Sequence, residues 1–407
     1  MSGLPPRTGP AETDPAGPSL LITLTGPDQS GISTAVFAAL RDFDVRVLDV
    51  EQAVLRRHLN LAILLGLGDE VDDADVSRAV TAVADRLGLT AEYLKSLGDH
   101  EERRSGRLIV TVLGRPLRAA HLAAVTQRLW EHRANIDSMR RLSHSPVTTI
   151  ELSVSGARGE ELRRELAAVS VEHRIDIAVS PAGLARRGRR LVVMDVDSTL
   201  ITGEVIEMLA EHAGRAEEVR AVTEAAMAGE LDFATSLHRR VAALEGLDVG
   251  VLDEVRAQVR LTPGARTLCR TLRELGFSIA LVSGGFAEIV EPLGREVGAT
   301  YVRANRLDVA DGRLTGRVDG PVVDRAGKAA ALREFAEREN LPLSRTVAIG
   351  DGANDLEMLA VAGLGIAFNA KPVVQAQADT SVNVPYLDSV LYLLGINADD
   401  VHEAAEA

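Results

Sequence analysis

A single cysteine in 407 residues, Cys269, excludes an intramolecular disulfide and any cysteine-rich metal site. It falls in a helical stretch over 265–275, and a reducing, cytoplasmic compartment fits the scarcity of thiols. No apolar run approaches the roughly 18 residues that a membrane-spanning helix requires. Residues 1–18 are rich in Pro, Gly and Ala and lack the apolar centre of a signal peptide, so they are expected to form a flexible extension of a soluble protein. Positive charge is in deficit. The formal net charge of −14 argues against nucleic acid or an anionic membrane surface as a partner. The one basic cluster, Arg186, Arg187, Arg189 and Arg190, reads as a solvated linker over 182–190. P-loop and dinucleotide glycine motifs are absent, and the nine histidines form no metal-ligand pair on a helix, which disfavours nucleotide and zinc chemistry.

What is present is a chain with 46% hydrophobic and 26% charged residues, too apolar for disorder and long enough for two or three globular units. From residue 19 an apolar run (20–24) leads through Gly26-Pro27-Asp28-Gln29-Ser30-Gly31 into an amphipathic stretch (32–43), predicting strand, tight loop and helix. Alternating segments at 45–55 and 59–65, a helical stretch at 74–87 and a short strand at 91–94 complete a βαββαβ unit over 19–100. The order recurs over 107–181: a strand at 108–113, the loop Gly114-Arg115-Pro116, a helix at 117–132, paired strands flanking 143–146, a helix at 160–170 and a strand at 176–179. This is an internal repeat with diverged sequence.

These two units resemble tandem ACT domains, small ferredoxin-like modules that commonly bind amino acids and pair side by side. The resemblance rests on Gly26-x-Asp28-x-x-Gly31. Glycines there permit positive φ and leave backbone N–H groups open to a small anion, or serve only to reverse the chain tightly. The second unit keeps Gly114 but lacks the Asp and the second Gly.

Beyond the linker, apolar strands at 191–194, 278–282 and 346–349 alternate with longer helices, predicting an α/β domain over 191–398 with a parallel sheet covered on both faces. An acidic tail follows at 399–407. Each strand ends at a polar loop, and in open α/β sheets ligands bind beyond the carboxyl ends of the strands. The first loop is Asp195-Val196-Asp197-Ser198-Thr199. Two carboxylates so close behind an apolar strand are costly to bury without a counter-charge, which implies a cation. An EF-hand is excluded because Leu200 and Ile206 stand where Gly and Glu are required. A helix-capping role for Asp197 or Ser198 stays open. The second loop is Ser283-Gly284-Gly285-Phe286. Lys328 opens a helix running to Arg338, after a hairpin region containing Asp311-Gly312 and Asp319-Gly320; alone it reads as a solvated charge, since it opposes the helix dipole. The third loop is Gly350-Asp351-Gly352-Ala353-Asn354-Asp355, a second acidic segment suited to sharing a hard cation.

In this order the four segments resemble the haloacid dehalogenase superfamily of phosphohydrolases, over about 190–394. The resemblance implies a Rossmann-like core in which Asp195 attacks phosphorus and becomes an aspartyl phosphate, while Asp197 acts as general acid and then base. It also implies Mg2+ held by Asp195, Asp351 and the backbone carbonyl of Asp197. Lys328, Ser283 and the Gly284 N–H would surround the phosphoryl oxygens, with Asn354 near the phosphoryl group or a metal-bound water and Asp355 orienting the metal site or Lys328.

A helical insertion over 201–262 stands where this superfamily often carries a cap. Its frame, Met227-Ala228-Gly229-Glu230-Leu231-Asp232-Phe233 through Ser236-Leu237-His238-Arg239-Arg240-Val241, resembles phosphoserine phosphatases. That likeness gives Glu204, Phe233 and Arg240 the task of recognising an α-amino acid, so the expected reaction is hydrolysis of O-phospho-L-serine, the last step of serine biosynthesis. The ACT-like units add an expected amino-acid effector, with serine the natural candidate at Gly26, Asp28 and Gly31, and association into a homodimer. The competing readings are another phosphatase or phosphotransferase of the superfamily and a catalytically silent amino-acid sensor.

Overall fold

The computed structural model describes residues 18–97, 107–183, 188, 190–227 and 232–401. Residues 1–17 of the expected extension, Arg186, Arg187 and Arg189 of the linker, 228–231 of the cap frame and 402–407 of the tail lie outside the described residues.

In the first unit, strands β1 (Pro18–Pro27), β2 (Val45–Leu55), β3 (His58–Leu67) and β4 (Thr90–Leu97) form an antiparallel sheet of order β2-β3-β1-β4, with helices Ile32–Leu40 and Asp73–Leu87. Leu20, Ile22 and Leu24 alternate inward from β1 onto Val36, Val76 and Val80 of the two helices, which is the period of two that a half-buried strand requires. Gly26 packs closely on the turn before β4, where a Cβ would lie 3.1 Å from the Gly88 carbonyl oxygen and 3.2 Å from Leu89 Cα. Gly31, at φ 93°, turns the chain into the first helix. The second repeat has the same plan: β5 (Leu108–Gly114), β6 (Asn135–Ser143), β7 (Thr148–Ser155) and β8 (Asp176–Pro181) in the order β6-β7-β5-β8, with helices Ala119–Glu131 and Gly159–His173.

The chain divides into two compact units, Met1–Arg103 and Arg104–Ala407, so the second repeat belongs to the same body as the large sheet that follows it. That sheet contains β9 (Leu191–Met194), β10 (Ser278–Phe286), β11 (Tyr301–Ala310), β12 (Arg313–Asp319), β13 (Thr346–Gly350), β14 (Leu364–Phe368) and β15 (Thr380–Val382). Its order is β12-β11-β10-β9-β13-β14-β15, parallel throughout except for the β11–β12 hairpin. On β9, Val192 and Met194 face the helices Ala265–Glu274 and Ala287–Val297, while Leu191 and Val193 face Arg325–Arg338 and Leu356–Val361. A strand buried on both faces therefore reads as a continuous apolar run. Cys269 lies buried on Ala265–Glu274, and burial pushes its thiol up to about 12.

Among the described residues, the helices Val205–His212, Ala216–Met227, Phe233–Ala242 and Val251–Gln258 form an insertion between β9 and the helix Ala265–Glu274. Its outgoing and returning linkers meet in an isolated antiparallel bridge between Ile201 and Leu261. Among the described residues no helix is long and apolar enough to cross a membrane.

Candidate active site

The site lies at the carboxyl ends of β9, β10 and β13. Because β9 is the central strand, its last residue delivers Asp195 to the middle of that edge, where the Asp195 N–H donates to the Ile349 carbonyl of β13 at 2.9 Å. Only 4% of Asp195 is exposed, so its carboxylate has been taken out of water and needs a partner. Lys328, with no exposed surface, supplies one: its Nζ lies 2.7 Å from Asp195 Oδ1 and 2.7 Å from Asp355 Oδ1. The surface charge read from Lys328 alone is thus replaced by a buried ion triad. Two carboxylates outweigh the unfavourable dipole of the helix start and the loss of solvation, and they hold the ammonium pKa above its ordinary value.

Asp355 and Asp351 come from the loop after β13. A Cβ at Gly350 would lie 2.4 Å from Asp355 Cγ, so only glycine lets the Asp355 side chain fold back under the loop, where its Oδ2 accepts from the Gly352 N–H at 3.0 Å. Asp351 Oδ1 accepts from Thr199 Oγ1 at 3.0 Å. One carboxylate oxygen each from Asp195, Asp351 and Asp355 lie within 4.8 Å of one another. Asp195 Oδ1 is buried, and its close cationic contact is the Lys328 ion pair at 2.7 Å. Three carboxylates gathered round a single ammonium carry excess negative charge, and an all-oxygen donor set of this kind fits a hard divalent cation. Asp355, expected only as an orienter, both contributes to this cluster and neutralises Lys328.

The loop after β9 then doubles back. Ser198, at φ 57°, directs the chain so that Asp197 Oδ1 accepts from the Val205 N–H at 2.8 Å, at the start of the first cap helix. Neither Asp197 nor Ser198 is the N-cap residue of that helix, which is Glu204; the Asp197 carboxylate instead reaches its first N–H from outside the helix. Its Oδ2 accepts from Ser283 Oγ at 3.3 Å, and Ser283 Oγ in turn accepts from the Gly285 N–H at 2.7 Å. Burial raises the Asp197 pKa, opposed by the Val205 N–H, Lys328, Ser283 and Arg240. The Asp195 carboxyl stands well above the ordinary range because of burial and then Asp355, with Lys328 opposing.

From the cap, Glu204 Oε1 accepts from Ser198 Oγ at 2.9 Å. Burial, and then the charge of Asp197, push the Glu204 carboxyl up to about 7. Arg240 is attracted to Glu204 and Asp197, and its Nε donates to the Ser236 carbonyl at 3.4 Å. Phe233 closes on the β10 loop so tightly that a Cβ at Gly284 would lie 2.9 Å from its Cζ. Asn354 is half-buried in the third loop. Gly26, Asp28 and Gly31 lie in the first unit, where the Asp28 N–H donates to the Arg57 carbonyl at 2.9 Å.

Three side chains of the site carry no strong sequence signal. Thr199 is buried against Asp351, and Thr262 Oγ1 donates to the Thr199 carbonyl at 2.7 Å. Asn305, 1% exposed on β11, donates from Nδ2 to the Gly284 carbonyl at 2.8 Å and accepts at Oδ1 from the Val323 N–H at 2.7 Å. It ties the β10 loop to the approach of the Lys328 helix. Thr199 sits inside the first motif and was within reach of a spacing argument; Thr262 and Asn305 act across 63 and 21 residues of chain, beyond any local pattern.

Comparison with known proteins bears on this arrangement. A haloacid dehalogenase-like hydrolase family matches residues 192–360, and ACT domain families match 19–93 and 107–180. A phosphoserine phosphatase of Streptomyces coelicolor is 53% identical over 387 residues, covering 95% of this chain and 94% of that protein. One from Mycobacterium tuberculosis is 50% identical over 396 residues, covering 97% of each. The solved structure of a probable phosphoserine phosphatase from Vibrio cholerae, in unliganded form, superposes with a TM-score of 0.56 at 33% identity, covering 73% of this chain and 88% of that one.

Proposed function

The chain belongs to the phosphoserine phosphatase family of haloacid dehalogenase-like hydrolases, and from that premise we propose that it hydrolyses O-phospho-L-serine to L-serine and phosphate through an aspartyl phosphate on Asp195. The observation that carries the proposal is the triad in which Lys328 lies 2.7 Å from both Asp195 and Asp355 at the carboxyl edge of the sheet. An ammonium so placed favours the anionic form of Asp195 against the effect of burial and faces the charge that develops on the phosphoryl oxygens.

In the first step an Asp195 oxygen forms a bond to phosphorus as the bond from phosphorus to the serine oxygen breaks, and Asp197 gives its proton to the departing alkoxide. The raised pKa of Asp197 favours the protonated form this step needs. In the second step Asp197 takes a proton from water as the water oxygen attacks phosphorus and Asp195 leaves. Ser283, the Gly284 N–H and Lys328 hold the phosphoryl oxygens, with Asn354 at the rim. Asp195, Asp351 and the backbone carbonyl of Asp197 are the residues that would hold Mg2+. When bound, that ion supplies the positive charge that lets Asp195 and Asp351 stay ionised together and draws charge from the phosphoryl group.

The substrate assignment rests on the cap. Glu204 accepts from an ammonium group and Arg240 offers a planar fork to a carboxylate, a pair that selects an α-amino acid over a sugar phosphate. The domain plan we adopt is 19–100 and 107–181 as ACT units and 191–398 as the catalytic domain with its cap over 201–262. Serine sensing at Gly26, Asp28 and Gly31, homodimer formation through the ACT units and a cytoplasmic location complete the reading.

Phosphate release from O-phospho-L-serine, O-phosphothreonine and a sugar phosphate, with and without Mg2+, tests it. The expected result is a metal-dependent preference for phosphoserine that disappears in Asp195→Asn. Preference for the sugar phosphate would overturn the cap assignment, and full activity of Asp195→Asn would overturn the covalent mechanism.

A further inference from the structure

The loop Gly114-Arg115-Pro116 of the second repeat occupies the place of the glycine-rich turn in the first, yet its arginine reaches into the catalytic domain. Arg115 Nη1 donates to the Tyr386 hydroxyl at 3.3 Å, and its guanidinium carbon lies 5.4 Å from the centre of the Tyr386 ring. A second anchor is buried. Asp176, 3% exposed at the start of β8, accepts from the Asn383 N–H at 2.9 Å, from Asn383 Nδ2 at 2.7 Å and from Ser381 Oγ at 3.0 Å. Thr380 Oγ1 donates to the Ile177 carbonyl at 2.9 Å beside it. The two anchors bracket residues 383–386, so the second repeat fixes both ends of the segment that leads out of β15.

Immediately beyond Tyr386, that segment grips the cap. The Leu387 N–H donates to the Pro263 carbonyl at 2.8 Å, and Gly264, at φ 83°, is pressed so closely on Asp388 that a Cβ would lie 2.3 Å from its Oδ1. Pro263 and Gly264 end the returning linker of the cap. The linker continues the chain of contacts: the Thr262 N–H donates to the Leu200 carbonyl at 2.9 Å, and the Thr202 N–H donates to the Arg260 carbonyl at 3.0 Å. Thr262 Oγ1 and Thr199 Oγ1 then carry it to Asp351.

We propose that the second repeat positions the cap hinge, with Arg115 and Asp176 as positioning residues acting through Tyr386, Asn383 and the Leu387–Pro263 hydrogen bond. The proposal rests on the phosphatase reading, in which the cap closes over the substrate. A hinge of two paired linkers moves about whatever pins its ends, and a cap that misses its closed position by about 1 Å costs rate even when every reacting group is intact. The loop at Arg115, in place of an effector turn, is then the mechanical contact between the second ACT unit and catalysis.

The test uses the full chain as wild type, Arg115→Ala, Arg115→Lys and Asp176→Asn. It reads kcat/KM on O-phospho-L-serine and amide hydrogen exchange in the same samples. Expected are a fall of about fivefold in kcat/KM for Arg115→Ala, recovery of at least half of that loss in Arg115→Lys, and a larger fall for Asp176→Asn, whose amide turns a donor toward Asn383. In Arg115→Ala the amides of Leu387 and Thr262 should exchange about tenfold faster while those of β9 and β13 are unchanged. Rates within twofold of wild type for both Arg115→Ala and Asp176→Asn, or faster exchange shared equally by β9 and β13, would overturn the proposal. If wild type fails to hydrolyse phosphoserine, the functional reading falls, and the exchange comparison still decides the link.

Discussion

Lys328 shows how far one residue's environment governs its role. In the first turn of a helix its charge opposes the helix dipole, and with no exposed surface it has lost its hydration; the Asp195 and Asp355 oxygens, each 2.7 Å away, reverse both penalties. Lys328→Met is expected to abolish phosphate release and to destabilise the metal-free fold by about 3–5 kcal/mol near neutral pH, because two buried carboxylates lose their counter-ion. The pH dependence has a definite sign. The Asp195 carboxyl already titrates above its ordinary range, and without Lys328 it moves higher, so the folded variant binds a proton that the unfolded chain has released. Stability then falls as pH rises through that window. Urea midpoints in the presence of a chelator should separate further from wild type as pH rises through that window. A constant separation would show that Asp195 is not the group responsible.

At the scale of elements, the turn from β10 into the helix Ala287–Val297 is where core and cap meet. Gly284 and Gly285 are needed there for closeness: added Cβ atoms would lie 2.9 Å from Phe233 Cζ and 2.6 Å from Asp197 Oδ2. The phenyl ring can swing and the carboxylate, held by Val205 and Ser283, cannot. Gly284→Ala should therefore raise KM about tenfold with a smaller change in kcat, while Gly285→Ala should lower kcat by about a hundredfold, the scale expected when a positioned catalytic group is displaced. Steady-state kinetics of the two variants check this, and equal effects on KM would count against separate roles for the neighbouring glycines.

At the scale of the molecule, the second repeat and the catalytic domain share apolar core. Leu113, Val147 and Ala178 belong to the same buried cluster as Val382, Leu387 and Leu391, and Leu142 packs with Tyr392 and Ala398. The Arg163–Asp379 ion pair at 3.0 Å adds a polar tie. A chain beginning at residue 182 uncovers this surface and strands the partners of Asp176. It is expected to melt at least 5 °C below a chain beginning at residue 104, as differential scanning calorimetry would measure; equal melting temperatures would mean that the shared core contributes little.

Both repeats and the Rossmann-like core were legible because their signals are local. Alternation in β1, continuous apolar runs in β9 and β13, and glycine-rich turns at strand ends depend on residues a few positions apart. The short strands β14 and β15 were missed: β9 and β13 are as short, but each runs into an acidic loop that marks its carboxyl end, and β14 and β15 do not. Asn305 and Thr262 were missed because their partners are distant in sequence. By itself, the sequence determined which loops are acidic, which are glycine-rich and that each follows an apolar strand, which implied a cation; phosphoryl chemistry came only with the resemblance of the four segments, in their order, to phosphohydrolases. Only the tertiary structure decided that Lys328 is buried between two carboxylates, that the Asp197 carboxylate accepts from the Val205 N–H and that Arg115 touches Tyr386. These are encounters between segments up to 271 residues apart, and desolvation and close packing at such meetings depend on where the whole chain has gone.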